Sequence, residues 1–215
     1  MLLKKGVVLA RKPASQTVSR DDILYAAASV LRQNGYDATT MKDIAAEVNL
    51  TAASLYHHFR NKDALLLAVL EAGLNHVIDQ LEPIVASDQA PADKLRAMIQ
   101  VHVISLTSNM AVGAAMVFEM RWLLTLDAEN GTASLKARRD AFFDQRDYFE
   151  RLYRQVIQAG IDQGDFLAVD VPVFTRTMLG AHNWVAVWFR ENGRLTGAQI
   201  ADQMADTFLR ALVSE

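Results

Sequence analysis

The apolar pattern predicts two short helices separated by a sharp turn within the stretch TMKDIAAEVNLTAASLYHHFRNKDALL. Ile44 and Val48 are four residues apart, as are Leu55 and Phe59, so each pair lies on one face of a short helix. Asn49 stands between the two segments, and asparagine tolerates the left-handed backbone of such a turn better than most residues. We therefore predict a helix-turn-helix in this stretch.

Two longer helices flank the motif. One is expected to begin at Ser19 or Arg20, to carry an apolar stripe and to end at Gly35. The other begins at Asn61, and Pro83 is expected to end or kink it. The first would pack behind the motif to complete a three-helix domain, and the second would connect that domain to the rest of the chain.

Amphipathic or wholly apolar helices are expected to continue to the end of the chain. Four of them begin at residues that favour a helix start, namely Pro91, Thr132, Pro172 and Thr196. Residues 111–126 are almost wholly apolar and predict a buried helix, and the helix from Thr132 is expected to break at Gly160 and Gly164. No strand pattern or internal repeat is seen.

The predicted fold class is all-α, with two domains. An N-terminal three-helix helix-turn-helix domain would span residues 19–64, which we call the head. A C-terminal helical bundle would span residues 65–215, which we call the body. Residues 1–18 lack periodicity and contain Pro13, so we expect a flexible arm.

Charge is distributed unevenly along the chain. The formal net charge is −3, yet residues 1–64 contain nine Lys and Arg against six Asp and Glu, and the remainder thirteen against nineteen. A basic head on an acidic body fits a DNA-binding domain attached to another module. The arm is basic through Arg20 and contains no acid; both a solvated tail and an arm that touches DNA phosphates fit this composition.

Composition excludes several classes of protein. Apolar residues make up 51% and charged residues 22%, which is typical of globular domains. The absence of cysteine excludes a disulfide framework and a thiolate metal site. The apolar run near the N-terminus is too short for a signal peptide, and we expect no membrane span. These features predict a soluble protein of the cytoplasm.

The motif resembles the DNA-binding domain of tetracycline-repressor (TetR) family regulators over roughly Arg20 to Leu70. The resemblance is carried by Gly35-Tyr36, Thr39-Thr40-Met41, Asp43-Ile44-Ala45, Leu55-Tyr56-His57-His58-Phe59, Lys62 and Leu65. One departure is Asn49-Leu50-Thr51, where the family usually has Gly-Val-Ser or Gly-Val-Thr. Asparagine in place of that glycine is sterically reasonable.

The second helix of such a motif enters the major groove by its N-terminal residues. Base or near-base contacts are therefore expected from small or hydrogen-bonding side chains there, namely Thr51, Ala52, Ala53 and Ser54. Phosphate contacts are expected, partly from the family resemblance, from Thr40, Tyr56, His57 and Lys62. The alternative for Tyr56 is a core aromatic whose hydroxyl reaches water.

Polar residues interrupt the apolar helices of the body, as the walls of a pocket for a small apolar ligand require. The candidate ligand-binding residues are His102, Leu106, Met110, Met116, Arg121, Phe142, Arg146, Phe149, Asn183 and Trp184. Alternatively, Glu119 and Arg121 are exposed and the tryptophans are core or dimer contacts. The segment from Gly180 to Leu209 also resembles TetR-family members that sense acyl-CoA thioesters. A CoA thioester carries phosphates, and the candidate cations to bind them are Arg121, Arg138, Arg139 and Arg146. A solvated basic edge paired with neighbouring aspartates is the alternative for these arginines.

The last two helices carry a second apolar edge that a monomer would expose. We therefore predict a homodimer, with Gly180, Ala181, Trp188, Met204, Phe208 and Leu212 at its interface.

We expect a ligand-responsive repressor that binds a palindromic double-stranded DNA operator and is not an enzyme. No catalytic motif is present, and we expect no cofactor and no metal; adjacent His57 and His58 point too far apart to share an ion. Two alternatives remain: a TetR-type regulator of an efflux pump that senses aromatic or cationic compounds, and a helical carrier or enzyme with a vestigial head.

Overall fold

The computed structural model describes residues 18–118, residue 123 and residues 133–213, and all regular structure in these segments is α-helical. The helices are α1 (Arg20–Ala38), α2 (Met41–Glu47), α3 (Ala52–His58), α4 (Lys62–Ala86), α5 (Pro91–Ser108), α6 (Met110–Phe118), α7 (Ala133–Gln163), α8 (Val171–Trp188) and α9 (Gly197–Arg210). The predicted all-α fold is confirmed. The arm up to residue 17, Glu119 and Arg121 lie outside the described residues.

Side-chain caps fix the start of the head helices. Ser19 forms a capping box with Asp22, and Thr40 forms one with Asp43. The hydroxyl of Thr51 accepts a hydrogen bond from the backbone N–H of Ser54 at the start of α3. Each cap satisfies backbone N–H groups that the first turn of a helix leaves unpaired. The predicted starts of α1, α2 and α3 are therefore confirmed.

Two left-handed residues shape the head. Asn49 has a φ of 57°, which confirms the predicted turn between α2 and α3. Gly35 has a φ of 74° and a non-helical ψ, so it interrupts α1 three residues before the end of the element. Both positions need a backbone conformation that most side chains disfavour.

Neither Pro83 nor Gly160 ends its helix. Pro83 does not end α4, which continues to Ala86. Gly160 does not break α7, which runs on to Gln163 before Gly164 turns the chain with a φ of 80°. Gly160 has another role: any β-carbon there would lie 2.2 Å from the ring of Phe166, which packs directly on its backbone.

The body is built around α4, which packs against α1, α5, α6 and α7. Helix α8 packs against α5, α6 and α7, and α9 lies along α5. By length and composition alone α4 could cross a bilayer, and so could α5 and α6 if their 103° bend were a break in one span. More than half of the most apolar stretch of α4 is buried by other helices, as in the core of a bundle.

Candidate functional site

Helix α3 lies on the surface of the head with one face free. Leu55 is fully buried and Phe59 is 4% exposed, so these two side chains hold α3 against the head. The opposite face presents Thr51, Ala53, Tyr56 and His57 to solvent, with Ala52 and Ser54 half-buried. Tyr56 is 52% exposed, which excludes a core position for its ring. Four of the residues expected to contact DNA are therefore accessible at the surface of α3, namely Thr51, Ala53, Tyr56 and His57.

Hydrogen bonds within the head hold three hydroxyl groups of the residues expected to contact DNA in place. Thr40 donates its hydroxyl to the carboxylate of Asp43 at 2.6 Å. The hydrogen bonds from the side chain and backbone of Thr40 lower the pKa of Asp43, which keeps this carboxyl ionised. The hydroxyls of Thr51 and Ser54 lie 2.8 Å apart and are also hydrogen-bonded.

Lys62 has partners inside the protein. Its Nζ donates to the carbonyl oxygens of Tyr36 at 2.7 Å and Thr39 at 2.9 Å, and lies 4.1 Å from the centre of the Tyr36 ring. The ammonium group thus satisfies carbonyls at the end of α1, where a cation is favourable. A phosphate contact by Lys62 stays a prediction, and this geometry supports a structural role as well.

A large cavity lies between the head and the body. Its volume is about 1430 Å³, and its lining residues come from α1, α2, α4, α5, α6, α7 and α8. At one end it reaches the turn between α2 and α3, where Val48, Asn49 and Leu50 line it. Whatever fills this cavity would therefore touch both the DNA-contact motif and the body.

Six of the residues predicted to bind ligand line the cavity, namely His102, Leu106, Met116, Arg146, Phe149 and Asn183. Three others do not. Phe142 is 2% exposed in the core, Trp184 is 59% exposed on the outer surface, and Met110 is half-buried without reaching the cavity. Arg121 lies outside the described residues.

Acidic residues outnumber Lys and Arg among the described residues that line the cavity. Among its described lining residues Arg146 is the one Lys or Arg, whereas Asp21, Asp22, Glu47 and Glu150 are acidic. Arg138 makes a bidentate pair with Glu71, with contacts of 2.5 and 3.2 Å, and Arg139 pairs with Asp140 at 2.7 Å. Of the arginines considered for phosphate binding, the structure therefore brings Arg146 to the cavity.

Two buried histidines meet beside the cavity. The Nδ1 atoms of His102 and His182 lie 3.3 Å apart, and the side chains are 6% and 0% exposed. Burial lowers the pKa of His102 to about 4, and burial together with His102 lowers the pKa of His182 well below its usual value. Both rings are therefore neutral near pH 7.

An apolar stripe runs along the outer face of α8. Val173, Trp184 and Trp188 are 60%, 59% and 48% exposed, and Gly180 lies among them. Of the predicted interface residues, Gly180 and Trp188 are on this stripe, while Ala181, Met204 and Phe208 are half-buried. Leu212 is wholly buried inside the protomer and offers no surface to a partner.

Family models match both parts of this arrangement. Residues 88–212, more than half of the chain, match the model described as "Tetracyclin repressor-like, C-terminal domain", and residues 23–69 match "Bacterial regulatory proteins, tetR family". The chain belongs to the TetR family. It is thus a TetR-family transcriptional regulator, with a helix-turn-helix DNA-binding region within residues 23–69.

Similar proteins agree with this assignment to the TetR family. The transcriptional repressor KstR2 of Rhodococcus jostii is 27% identical over 197 residues, which cover 91% of each chain. The structure of the TetR-family regulator PfmR from Thermus thermophilus is 28% identical, with a TM-score of 0.77 over 91% of this chain and 100% of that one. AibR, solved in complex with isovaleryl coenzyme A and operator DNA, is 28% identical, with a TM-score of 0.73 over 87% of this chain and 96% of its own.

The sequence pattern of this TetR regulator did not indicate His182 or the part of the cavity that the head contributes. His182 could have been recognised as buried, because Met178, Leu179 and Val185 lie on the same face of α8 at helical spacing. Its partner is 80 residues away, and no local pattern reports that distance. The head contribution depends on α1 packing against α6, which is also a tertiary contact.

Proposed function

We propose that the protein is a homodimeric repressor that binds a palindromic operator and releases it when an effector fills the cavity between head and body. TetR regulators bind operator DNA and dimerise, and KstR2 is named as a repressor. Two heads on one dimer would occupy successive major grooves on one face of the duplex. Since its target is operator DNA, we place the protein in the cytoplasm.

DNA contacts are assigned to the free face of α3 and its surroundings. Thr51, Ala52, Ala53 and Ser54 would face base edges, because they are small or hydrogen-bonding residues at the start of the helix. Thr40, Tyr56 and His57 would contact phosphates. Lys62 would support this surface by holding the end of α1, and a phosphate contact would be additional.

The observation that carries the proposal is that one cavity touches the helix-turn-helix and the body together. An effector that binds best when the turn at Asn49 stands in a particular position relative to α5 and α6 selects that position of the head. If that position spaces the two heads wrongly for successive grooves, the operator is released. No contact between effector and DNA is needed.

We propose an acyl-CoA thioester as the effector. The volume of about 1430 Å³ exceeds the roughly 300–1000 Å³ typical of small-molecule sites. Leu106, Met116 and Phe149 supply apolar walls for an acyl chain, and Arg146, exposed one helical turn from Phe149, supplies a cation for phosphate. The AibR complex shows that a protein of this fold can hold isovaleryl coenzyme A.

A second candidate effector is favoured by the acidic end of the cavity. Asp21, Asp22 and Glu47 line the part nearest the head. Carboxylates attract an organic cation and repel phosphate. A TetR regulator that senses aromatic cations is therefore the alternative.

The test uses operator release measured by fluorescence anisotropy, with a palindrome selected from random DNA. Decanoyl-CoA should release the operator at a lower concentration than decanoic acid. Arg146→Ala should raise the required thioester concentration about tenfold without changing operator affinity, because it removes a charge-assisted contact to phosphate. Release by tetraphenylphosphonium but not by the thioester would favour the second candidate.

Two tryptophan variants on α5 test whether the cavity is the effector site. Leu106→Trp should obstruct the part of the cavity that Leu106 lines and weaken the response while operator binding persists. Ile104→Trp, which points outward from the same helix, should leave the response intact. Equal affinity for selected palindromes and random DNA would contradict the regulator proposal itself.

A further inference from the structure

The contact between His102 and His182 limits which of their ring nitrogens can carry a proton. Nδ1 of His102 and Nδ1 of His182 are 3.3 Å apart, so one of the two must carry a hydrogen and the other must accept it. A neutral imidazole has one N–H and one bare nitrogen, which means that the choice at Nδ1 also fixes Nε2 on each ring. Two arrangements are possible, and they present opposite groups to the cavity.

The surroundings of His182 decide between them. Its Nε2 is buried without a hydrogen-bond partner among the described residues. If this atom carried the proton, a buried N–H would be left unpaired, which native structures rarely tolerate; a bare nitrogen is the smaller penalty. His182 therefore carries its proton on Nδ1 and donates it to Nδ1 of His102.

The tautomer of His182 determines which hydrogen-bonding group His102 presents to the cavity. With Nδ1 accepting from His182, the proton of His102 must be on Nε2. His102 lines the cavity and is 6% exposed, and because its Nδ1 faces His182, Nε2 is the ring nitrogen left to face the cavity. The apolar side chains of Leu106, Met116 and Phe149 line the same cavity, so a fixed N–H donor stands among apolar walls.

We propose that Nε2–H of His102, held in this tautomer by His182, is the donor that recognises the carbonyl oxygen of the effector. The inference rests on the proposed function, in which the cavity holds that effector. His102 would contact the ligand, and His182 would act as a positioning residue. Burial keeps both rings neutral near pH 7 by lowering their pKa values, which preserves the single donor. A donor that is fixed before binding loses little entropy when the carbonyl arrives.

The first test needs no ligand. Long-range ¹H–¹⁵N spectra of the full-length wild-type protein distinguish protonated from bare ring nitrogens. The expected pattern is Nδ1–H on His182 and Nε2–H on His102, and the reverse pattern would overturn the proposal. A change in the ¹⁵N chemical shifts of both rings on addition of one equivalent of Zn²⁺ would also overturn it, since the nitrogens would then be metal ligands instead of a hydrogen-bonded pair.

The second test compares decanoyl-CoA with S-decyl-CoA, a thioether that lacks only the carbonyl oxygen. Wild-type protein should respond to the thioester at a concentration about tenfold lower, the value of one good hydrogen bond. His102→Leu should bring the two concentrations together, and His102→Gln, which keeps an N–H donor, should restore part of the difference. His182→Phe should reduce the difference, because His102 can then adopt either tautomer.

Asn183 is one rival donor in the same cavity. Asn183→Ala should leave the preference for the thioester unchanged. If Asn183→Ala removes the preference and His102→Leu keeps it, the assignment to His102 is wrong. If neither compound releases the operator, the acyl-CoA effector is wrong, and the ring spectra still decide the tautomer on their own.

Discussion

Lys62 begins α4, yet its ammonium group stabilises the end of α1. Its two hydrogen bonds to Tyr36 and Thr39 join the first and last helices that enclose the DNA-contact motif. We expect a residue placed in this way to affect DNA binding without touching DNA, because it sets where α1 ends relative to α4. The main role of Lys62 would thus be to position α1 relative to α4, and a charge contact with DNA phosphate would be secondary.

Lys62→Met separates these two roles. The change keeps the aliphatic stem but removes both hydrogen bonds, so we expect a loss of about 1 kcal/mol in the free energy of unfolding, measured by urea denaturation. The slope of operator affinity against salt concentration should change little. Lys42→Met, which removes an exposed cation from α2, is the matched control and should leave stability unchanged. A salt slope that falls by about one unit for Lys62→Met with unaltered stability would instead indicate a phosphate contact.

Residue roles could be predicted from the sequence where the partner is close along the chain. Thr40 and Asp43 are three residues apart, and helix geometry dictates their hydrogen bonds. The two partners of Lys62 lie 26 and 23 residues away and the partner of His182 lies 80 residues away, so these contacts depend on how helices pack. The pattern of a single helix contains no information about such partners.

Helix α9 approaches α5 more closely than side chains on both helices would permit. Thr196 caps α9 through a capping box with Gln199, as its sequence predicts. The next residue, Gly197, lies against Thr107, whose hydroxyl already donates to the carbonyl of Val103 at 3.0 Å. A β-carbon at Gly197 would lie 2.1 Å from that hydroxyl oxygen. The absence of a side chain there allows the two helices to meet.

Gly197→Ala should therefore destabilise the body, although alanine favours a helix more than glycine does. We expect a loss of about 1–3 kcal/mol in the free energy of unfolding, typical of overpacking. Thr107→Ala in the same chain removes the clashing hydroxyl and should recover part of that loss, since the β-carbon of residue 107, at 2.8 Å, remains. Thermal or chemical unfolding of the single and double variants measures both effects; a more stable Gly197→Ala would show that α9 shifts freely.

The ends of helices were less predictable than their existence. Pro83 lacks an N–H and was expected to end or kink α4, but it is exposed and lies in the last turn, where the loss of one hydrogen bond costs least. Leu81 remains fully buried beside it, so packing of the apolar face holds the helix together to Ala86. Gly160 was expected to break α7, and its actual role depends on Phe166, which returns to it after the turn.

At the scale of the whole molecule, the stripe on α8 is an apolar surface that one protomer leaves uncovered, with three large hydrophobic residues exposed on one helix. Its two tryptophans are more than 45% exposed, whereas Phe208 packs on the rings of Phe174 and His182 within the protomer. A dimer axis near Gly180 would let α8 meet its own copy, as a twofold interface requires. The stripe is therefore a better position than Phe208 for a test of dimerisation.

Trp184→Glu should convert the dimer into monomers. Because a twofold interface contains the residue twice, the loss of about 2 kcal/mol per tryptophan counts double and weakens association roughly a thousandfold. Sedimentation velocity at micromolar concentration measures the fraction of dimer. Operator affinity should decrease as the fraction of dimer decreases. Leu167→Glu introduces the same charge at an exposed apolar residue outside the stripe and should remain dimeric. A monomeric wild-type protein would contradict the interface altogether.

The cavity that spans the head and the body also has a consequence for the effector. If its occupant weakens operator binding by some factor, operator DNA must weaken binding of that occupant by the same factor, because the two events share one thermodynamic cycle. Protein bound at an operator is then a poorer receptor than protein free in solution. The effector concentration at which genes respond would accordingly rise with the affinity of each operator, so one regulator could switch several promoters in sequence as a metabolite accumulates.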